Sequence, residues 1–347
     1  MPSSLLPSAN PTVPTLPIET GPRRSLWLAP LRLLLSGAGP FLGLVFVVSV
    51  FALSAEVRPY FYTGANFKII LTQSVVVAVG ALGMTLIIVS GGIDLSVGAV
   101  VALCGVVGAK LLVAGWPPAA AVLIAIALGG LVGLANGTIV AGFKLLPFIV
   151  TLGMMGVARG AAKWLADNQA IDLPKTPVNA LMAQTSPTTL FPLPWGVWLT
   201  VVLAVLLTVV LQRTVFGTRV FALGSNEATA RLCGIRVPLQ KILIYTLAGF
   251  FFGLAGVLQM SRLTQGDPTV AVGLELDIIA AVVIGGASLN GGSGSVHGSM
   301  IGALIMAVLR NGSNQIGWPT YVQEILIGIV IVVAVGLDGL RRWRARL

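Results

Sequence analysis

Charge is what this chain has least of. Lys, Arg, Asp and Glu together make up 9% of its 347 residues, against about a quarter in a soluble domain. Only 11 residues are acidic, and there is a single histidine, His297. That histidine stands in a Gly/Ser run with no second His or Cys nearby, so it reads as a solvated loop residue rather than a metal ligand. The two cysteines, Cys104 and Cys233, lie in an apolar run and a polar stretch respectively, which excludes a disulfide framework and a thiolate metal cluster. GxSxG, HExxH, Gly-Lys-Ser and Gly-Lys-Thr are all absent from the sequence. The chain therefore has no hydrolase nucleophile elbow, no zincin pair and no phosphate-cradling ATPase loop.

Apolar residues are abundant instead, at 56%, together with 42 glycines. A helix needs about 20 apolar residues to cross a bilayer core of about 30 Å. Candidate runs lie at about 40–56, 66–90, 94–114, 117–142, 147–166, 195–212, 240–261, 274–290, 294–313 and 320–340. The expected fold is therefore all-α, a polytopic membrane protein with about ten transmembrane helices. Turn signals separate the runs: Pro117–Pro118, Pro147, Pro194, Pro238, the Gly291–Ser295 stretch and Pro319. Residues 1–35 read as a disordered, Pro-rich cytoplasmic tail and interfacial segment, 36–341 as one transmembrane domain, and 342–347 as a basic cytoplasmic tail.

The net charge of +10 does not indicate nucleic acid, because the basic residues are scattered between apolar runs. They do orient the chain. With ten spans both termini share one side. Placing them in the cytoplasm puts 13 Lys and Arg inside, including the 213–241 stretch and the C-terminal RRWRAR, against 8 outside or at span ends.

Some polar residues sit where a bilayer would not tolerate them unassisted. Asp94 follows Gly91 and Gly92 inside an apolar region, with Ser96 two residues on. One reading is structural: the glycines break one helix, and Asp94 or Ser96 caps the next. The other is a discontinuous helix lining a path, with Asp94 as gate. Both can hold. Gln73, Asn136, Arg159, Gln259 and Asn311 are candidate pathway-lining residues, with interhelical hydrogen bonding as the plainer role. No series of intramembrane acids forms a proton relay. GGLVGLANG around Gly130 and GFFFGLAGV around Gly249 share the pattern GxxxGLA, read as small-residue packing faces or, alternatively, as traces of an inverted internal repeat. Within FGTRVFALGSNEATARLCGIRVPLQK, Asn226 is an N-cap, Glu227 and Arg231 are one turn apart, Ala230 lies between them and Gly234 is a C-terminal stop. A short exposed helix on the cytoplasmic face follows, either a plain connector or a docking peg for a soluble partner.

The succession GGIDLSVG, LPFIVTLGMMGVARG, FGTRVFALGSNEATARLCGI and IGGASLNGGSGSVHGSMIGA resembles the ribose/xylose-type permeases of bacterial ABC importers, within the wider branched-chain amino acid and sugar permease family. The resemblance runs from about Gly39 to Leu340. It implies a type II-importer-like permease domain in the bacterial inner membrane, multi-pass, with both termini cytoplasmic and no enzymatic activity of its own. It implies a second permease copy, identical or a sister chain, and ABC ATPase subunits that hold ATP and Mg, so that this chain carries no cofactor. It also implies a periplasmic sugar-binding protein that delivers the solute. Asn226 to Gly234 matches the family's ATPase-coupling helix, although Thr229 stands where consecutive alanines are common, and SGSVH at 293–297 lacks a frequent basic residue. A permease for a branched-chain amino acid or a furanose signal, an ion-coupled carrier and a membrane-embedded enzyme remain as alternatives.

Overall fold

The computed structural model describes residues 29–54, 57–184 and 191–346. The expected tail of 1–35 lies mostly outside these. Thirteen α-helices account for most of the described residues: α1 Ala29–Leu53, α2 Arg58–Phe61, α3 Gly64–Val89, α4 Val97–Val113, α5 Pro118–Gly142, α6 Pro147–Leu165, α7 Trp195–Arg213, α8 Val215–Ser225, α9 Glu227–Leu232, α10 Val237–Leu263, α11 Leu274–Ile284, α12 Val296–Ile316 and α13 Thr320–Arg346. Two two-residue strands, β1 (Ile171–Asp172) and β2 (Gln265–Gly266), pair antiparallel.

The helix starts follow from local chemistry. Pro118, Pro147 and Pro238 sit in the first turn of α5, α6 and α10, where a missing N–H costs nothing. Pro194 and Pro319 immediately precede or flank the starts of α7 and α13. Thr63 caps α3 by accepting from Asn66 N at 3.2 Å, and Ser295 caps α12 by accepting from Gly298 N at 3.0 Å. Gly317, at φ +79°, ends α12.

Each expected span has a helix, and α3, α5, α7 and α10 are individually long and apolar enough to cross a membrane. The chain is a multi-pass membrane protein. Two spans differ from the expectation. The 94–114 run is helical only from Val97, so α4 starts inside the bundle beyond a non-helical stretch. The 274–290 run is helical only over 11 residues, about 16 Å, which cannot cross alone. Gly273 and Gly286, at φ +78° and +92°, bracket that half-helix.

α3 is the central helix, apolar on all faces and buried from Val75 to Val89. α10 packs along it and along α4 and α5. The two GxxxGLA segments pack on each other: Gly129 and Gly133 of α5 face Gly249 and Gly253 of α10. The outer helices show lipid what a soluble protein would hide. α7 exposes Trp195, Trp198, Val202, Val205 and Leu206.

Candidate functional site

One end of the bundle gathers α9, the C-terminal ends of α3 and α5, and the N-terminal ends of α6 and α10 around a cavity of about 330 Å³. α9 has the anatomy expected of it. Asn226 Oδ1 accepts from Thr229 N at 3.0 Å, and Gly234, at φ +82°, stops the helix. Glu227 receives Arg231 Nη2 at 3.1 Å and Lys241 Nζ of α10 at 2.8 Å. Lys241, then Arg231, hold the Glu227 carboxyl below its ordinary range. A depressed carboxylate contributes its pairing above its unfolded pKa and loses it as pH falls through the folded value, so the network is complete at neutral pH. The pair is partly exposed, which limits its worth to about 0–1 kcal/mol. Ala230 is buried toward the bundle, while Leu232 is 88% exposed.

α9 is tied directly to the core. The preceding helix, α8, ends at Gly224 and Ser225, and Gly224 lies against the backbone of Val89 and Gly292. Gly292 N in turn donates to Val89 O at 2.8 Å. The end of α3, the end of α8 and the Gly-rich 285–295 loop thus meet backbone to backbone.

The stretch between α3 and α4 begins at this junction, with Gly91 at φ +84°, and returns into the protein. Asp94 is 1% exposed. Its Oδ1 accepts from Ser96 N at 2.7 Å and from Ser96 Oγ at 2.6 Å, and its Oδ2 from Asn136 Nδ2 at 3.3 Å. The capping expectation needs adjustment here: Ser96 occupies the N-cap position, but its side chain makes no bond to the helix, and Asp94 folds onto Ser96 instead. Thr151 of α6 serves the exposed backbone of the break, accepting from Leu95 N at 3.1 Å and donating to Ile93 O at 3.3 Å. Tyr245 of α10 occupies the space beside Gly92, 2.6 Å from where a Cβ would stand. Broken backbone at this depth is thereby covered by protein.

The five lining candidates separate. Asn136 joins Asp94 and Ser96. Gln73 and Gln259 line one recess of about 270 Å³ at the opposite end of the bundle, between α3, α10, α11 and α12. Asn311 accepts from Gln315 at 3.0 Å, outside that recess. Arg159 clamps a loop: its guanidinium donates to the carbonyls of Pro268 at 3.1 Å, Val270 at 2.6 Å and Ala271 at 3.3 Å. These are the residues that lead into half-helix α11, so Arg159 satisfies backbone that would otherwise face lipid or a void. Arg159→Leu is expected to cost about 2–4 kcal/mol, seen as an earlier thermal midpoint in detergent.

Sequence reasoning passed over Thr151, Tyr245, Arg262 and the pair Asp277–Arg310, in which Arg310 Nε donates to Asp277 Oδ2 at 2.8 Å. Asp277 carried the signal used for Asp94, a carboxylate in an apolar run. Thr151 and Tyr245 carried none, since both types are ordinary in helices. His297 is exposed as expected, but lies in the first turn of α12 rather than a loop. Among the described residues no group of three or more His, Cys, Asp or Glu could hold a metal.

Residues 66–335 match the protein family described as branched-chain amino acid transport system / permease component. The chain is 39% identical to the ribose import permease protein of Escherichia coli over 85% of its own length and 92% of that protein's. It is 40% identical to the Bacillus subtilis ribose import permease protein, covering 86% and 92% of the two chains. Against the fructose import permease protein of Rhizobium meliloti the identity is 36%, with 85% and 83% covered. No solved structure matches. With most of its length matched by the family and by these permeases, the chain belongs to the branched-chain amino acid transport system permease family.

Proposed function

We propose that this chain is the membrane subunit of an ATP-driven ABC importer that moves a monosaccharide, delivered by a periplasmic binding protein, into the cytoplasm. The observation that carries the reading is the likeness, over most of the chain, to permeases named for sugars: ribose, fructose, L-arabinose and D-allose. The solute path runs through the membrane, and the fuel lies elsewhere, because no phosphate-cradling loop exists in this sequence. ATP and Mg are held by separate ATPase subunits beneath the α9 end, which faces the cytoplasm of a bacterial inner membrane, as do both termini. A second permease copy completes the path.

In this reading α9 is the docking peg. ATPase closure displaces α9, the Gly224 junction carries the displacement to the end of α3, and the break around Asp94 changes state. The chain's own residues bind, guide and gate; none performs bond chemistry. Reconstituted with its ATPase and binding protein in vesicles, the permease should take up a labelled monosaccharide only with ATP on the ATPase side. Uptake that instead collapses with the ion gradient would favour a carrier, and uptake of leucine but no sugar would favour the amino-acid branch.

The peg has its own test. Glu227→Arg breaks both ion pairs, and Gly234→Pro forbids the φ of +82° that ends α9. Both variants should insert normally and leave ATP hydrolysis running while sugar uptake falls about tenfold or more. Coupled uptake at the parent rate in both would remove the docking role.

A further inference from the structure

A separate cavity of about 290 Å³ lies at the base of α9. Arg219 of α8, Gly234 and Arg236 of the α9–α10 connection, and Leu239, Gln240 and Leu243 of α10 line it. It shares no lining residue with the cavity beside Glu227. Arg219 and Arg236 are both exposed, and among the described residues neither guanidinium makes a hydrogen bond or an ion pair. Glu227 is the one acidic residue in the sequence from α7 through α10, and it already holds Arg231 and Lys241. Two accessible cations therefore stand here with no counter-ion from their own stretch of chain. Beyond Arg236 the helix continues through Leu239, Leu243 and Phe250, all exposed. Their spacing keeps all four residues on one side of the helix. α10 is long and apolar enough to cross a membrane, so this column faces acyl chains. From Leu239 to Phe250 it descends about 16 Å, the depth of one leaflet of a hydrocarbon core about 30 Å thick.

We propose that this cavity binds an anionic phospholipid, with its phosphate on Arg219 and Arg236 and an acyl chain along Leu239, Leu243 and Phe250. The proposal rests on the chain's place in a membrane and not on the identity of any imported solute. Guanidinium groups match phosphate oxygens in geometry as well as charge. A zwitterionic headgroup brings an ammonium, which meets two arginines with no acid to balance it. A free phosphate satisfies the arginines and leaves the apolar column unused. A soluble acidic partner reaches the arginines but not a column that descends through a leaflet. An anionic lipid uses both ends of the site, as basic pockets between membrane helices do. The headgroup has room, because the stop of α9 at Gly234 has open space beside it. A lipid held there bridges α8 to α10, the two elements from which α9 hangs. The attitude of α9 then depends on the charge of the surrounding membrane.

Lipid binding to the purified full-length chain tests this. In neutral detergent, native mass spectrometry counts adducts of dioleoylphosphatidylglycerol and of dioleoylphosphatidylcholine. One Lys or Arg beside an anionic headgroup is worth about fivefold in binding, so the two arginines should favour phosphatidylglycerol about 25-fold. Arg219→Gln and Arg236→Gln should each cut that preference about fivefold. Arg213→Gln removes an exposed cation that does not line the cavity and should leave the preference at the parent's value. Arg219 and Arg236 support no other group, so both variants should melt like the parent in lipid-free detergent. Arg219→Lys with Arg236→Lys keeps both charges and should keep most of the preference, which separates lost charge from a damaged fold. Equal binding of the two lipids overturns the proposal, as does an undiminished preference in Arg219→Gln combined with Arg236→Gln. Displacement of the lipid by millimolar inorganic phosphate overturns it in favour of a free-anion site. Arginine variants that keep the lipid but lose a co-purifying ATPase overturn it in favour of a protein-docking surface.

Discussion

Gly129→Leu is expected to abolish recovery of folded protein. Gly129 and Gly133 on α5 face Gly249 and Gly253 on α10, and what they face is backbone. A Cβ on Gly129 would run into Gly249 O and stand 2.7 Å from Gly253 Cα; one on Gly133 would run into Tyr245 O and stand 3.1 Å from Gly249 Cα. No side chain can rotate away, so the helices themselves must separate. In lipid there is little hydrophobic force to hold them after that, because the surroundings are as apolar as the interface. Overpacking costs about 1–3 kcal/mol where neighbours can adjust, and more is expected where they cannot. The measurement is size exclusion after detergent extraction, with Gly153→Leu as control, since Gly153 of α6 has nothing within 4 Å. If Gly129→Leu elutes and melts like the parent, the close approach of these helices is wrong.

Asp94→Ala should be the second large loss. It strips the acceptor from Ser96 N–H and Ser96 Oγ, both buried, while Asn136 Nδ2 loses its bond to Asp94 but keeps Ser96 Oγ. Each orphaned group costs about 1–3 kcal/mol, offset in part by removing a buried charge, for a net of about 2–4 kcal/mol. Thermal midpoint and uptake should therefore fall together. Asp94→Asn keeps an acceptor for Ser96 and should lose less. A variant Asp94→Ala with the parent's midpoint and uptake would leave this carboxylate without a structural or a gating role.

How much of this was legible beforehand depended on the kind of signal. The prolines at 118, 147 and 238 mark helix starts because their missing N–H is harmless only there, and the structure places a helix start at each. The α9 cap, ion pair and stop were legible because they are local, spanning Asn226 to Gly234. The partners Lys241, Thr151 and Tyr245 come from other elements, and no spacing encodes them. Hydropathy finds apolar runs but is blind to where within a run the helix begins. That is why α4 and α11 are shorter than the runs containing them. The pairing of the two GxxxG segments with each other needed the fold, because each alone reads only as a face seeking some neighbour.

Gly224 is the crossing at which α8 meets the end of α3. Where it meets Val89 and Gly292 there are no rotamers to absorb displacement. A side chain at such a crossing would act as a spring, giving way before it transmits. Main chain on main chain acts as a rigid tappet: if α9 is the docking peg proposed above, a push delivered there would reach the root of α3 without first being taken up by side-chain rotation at this crossing.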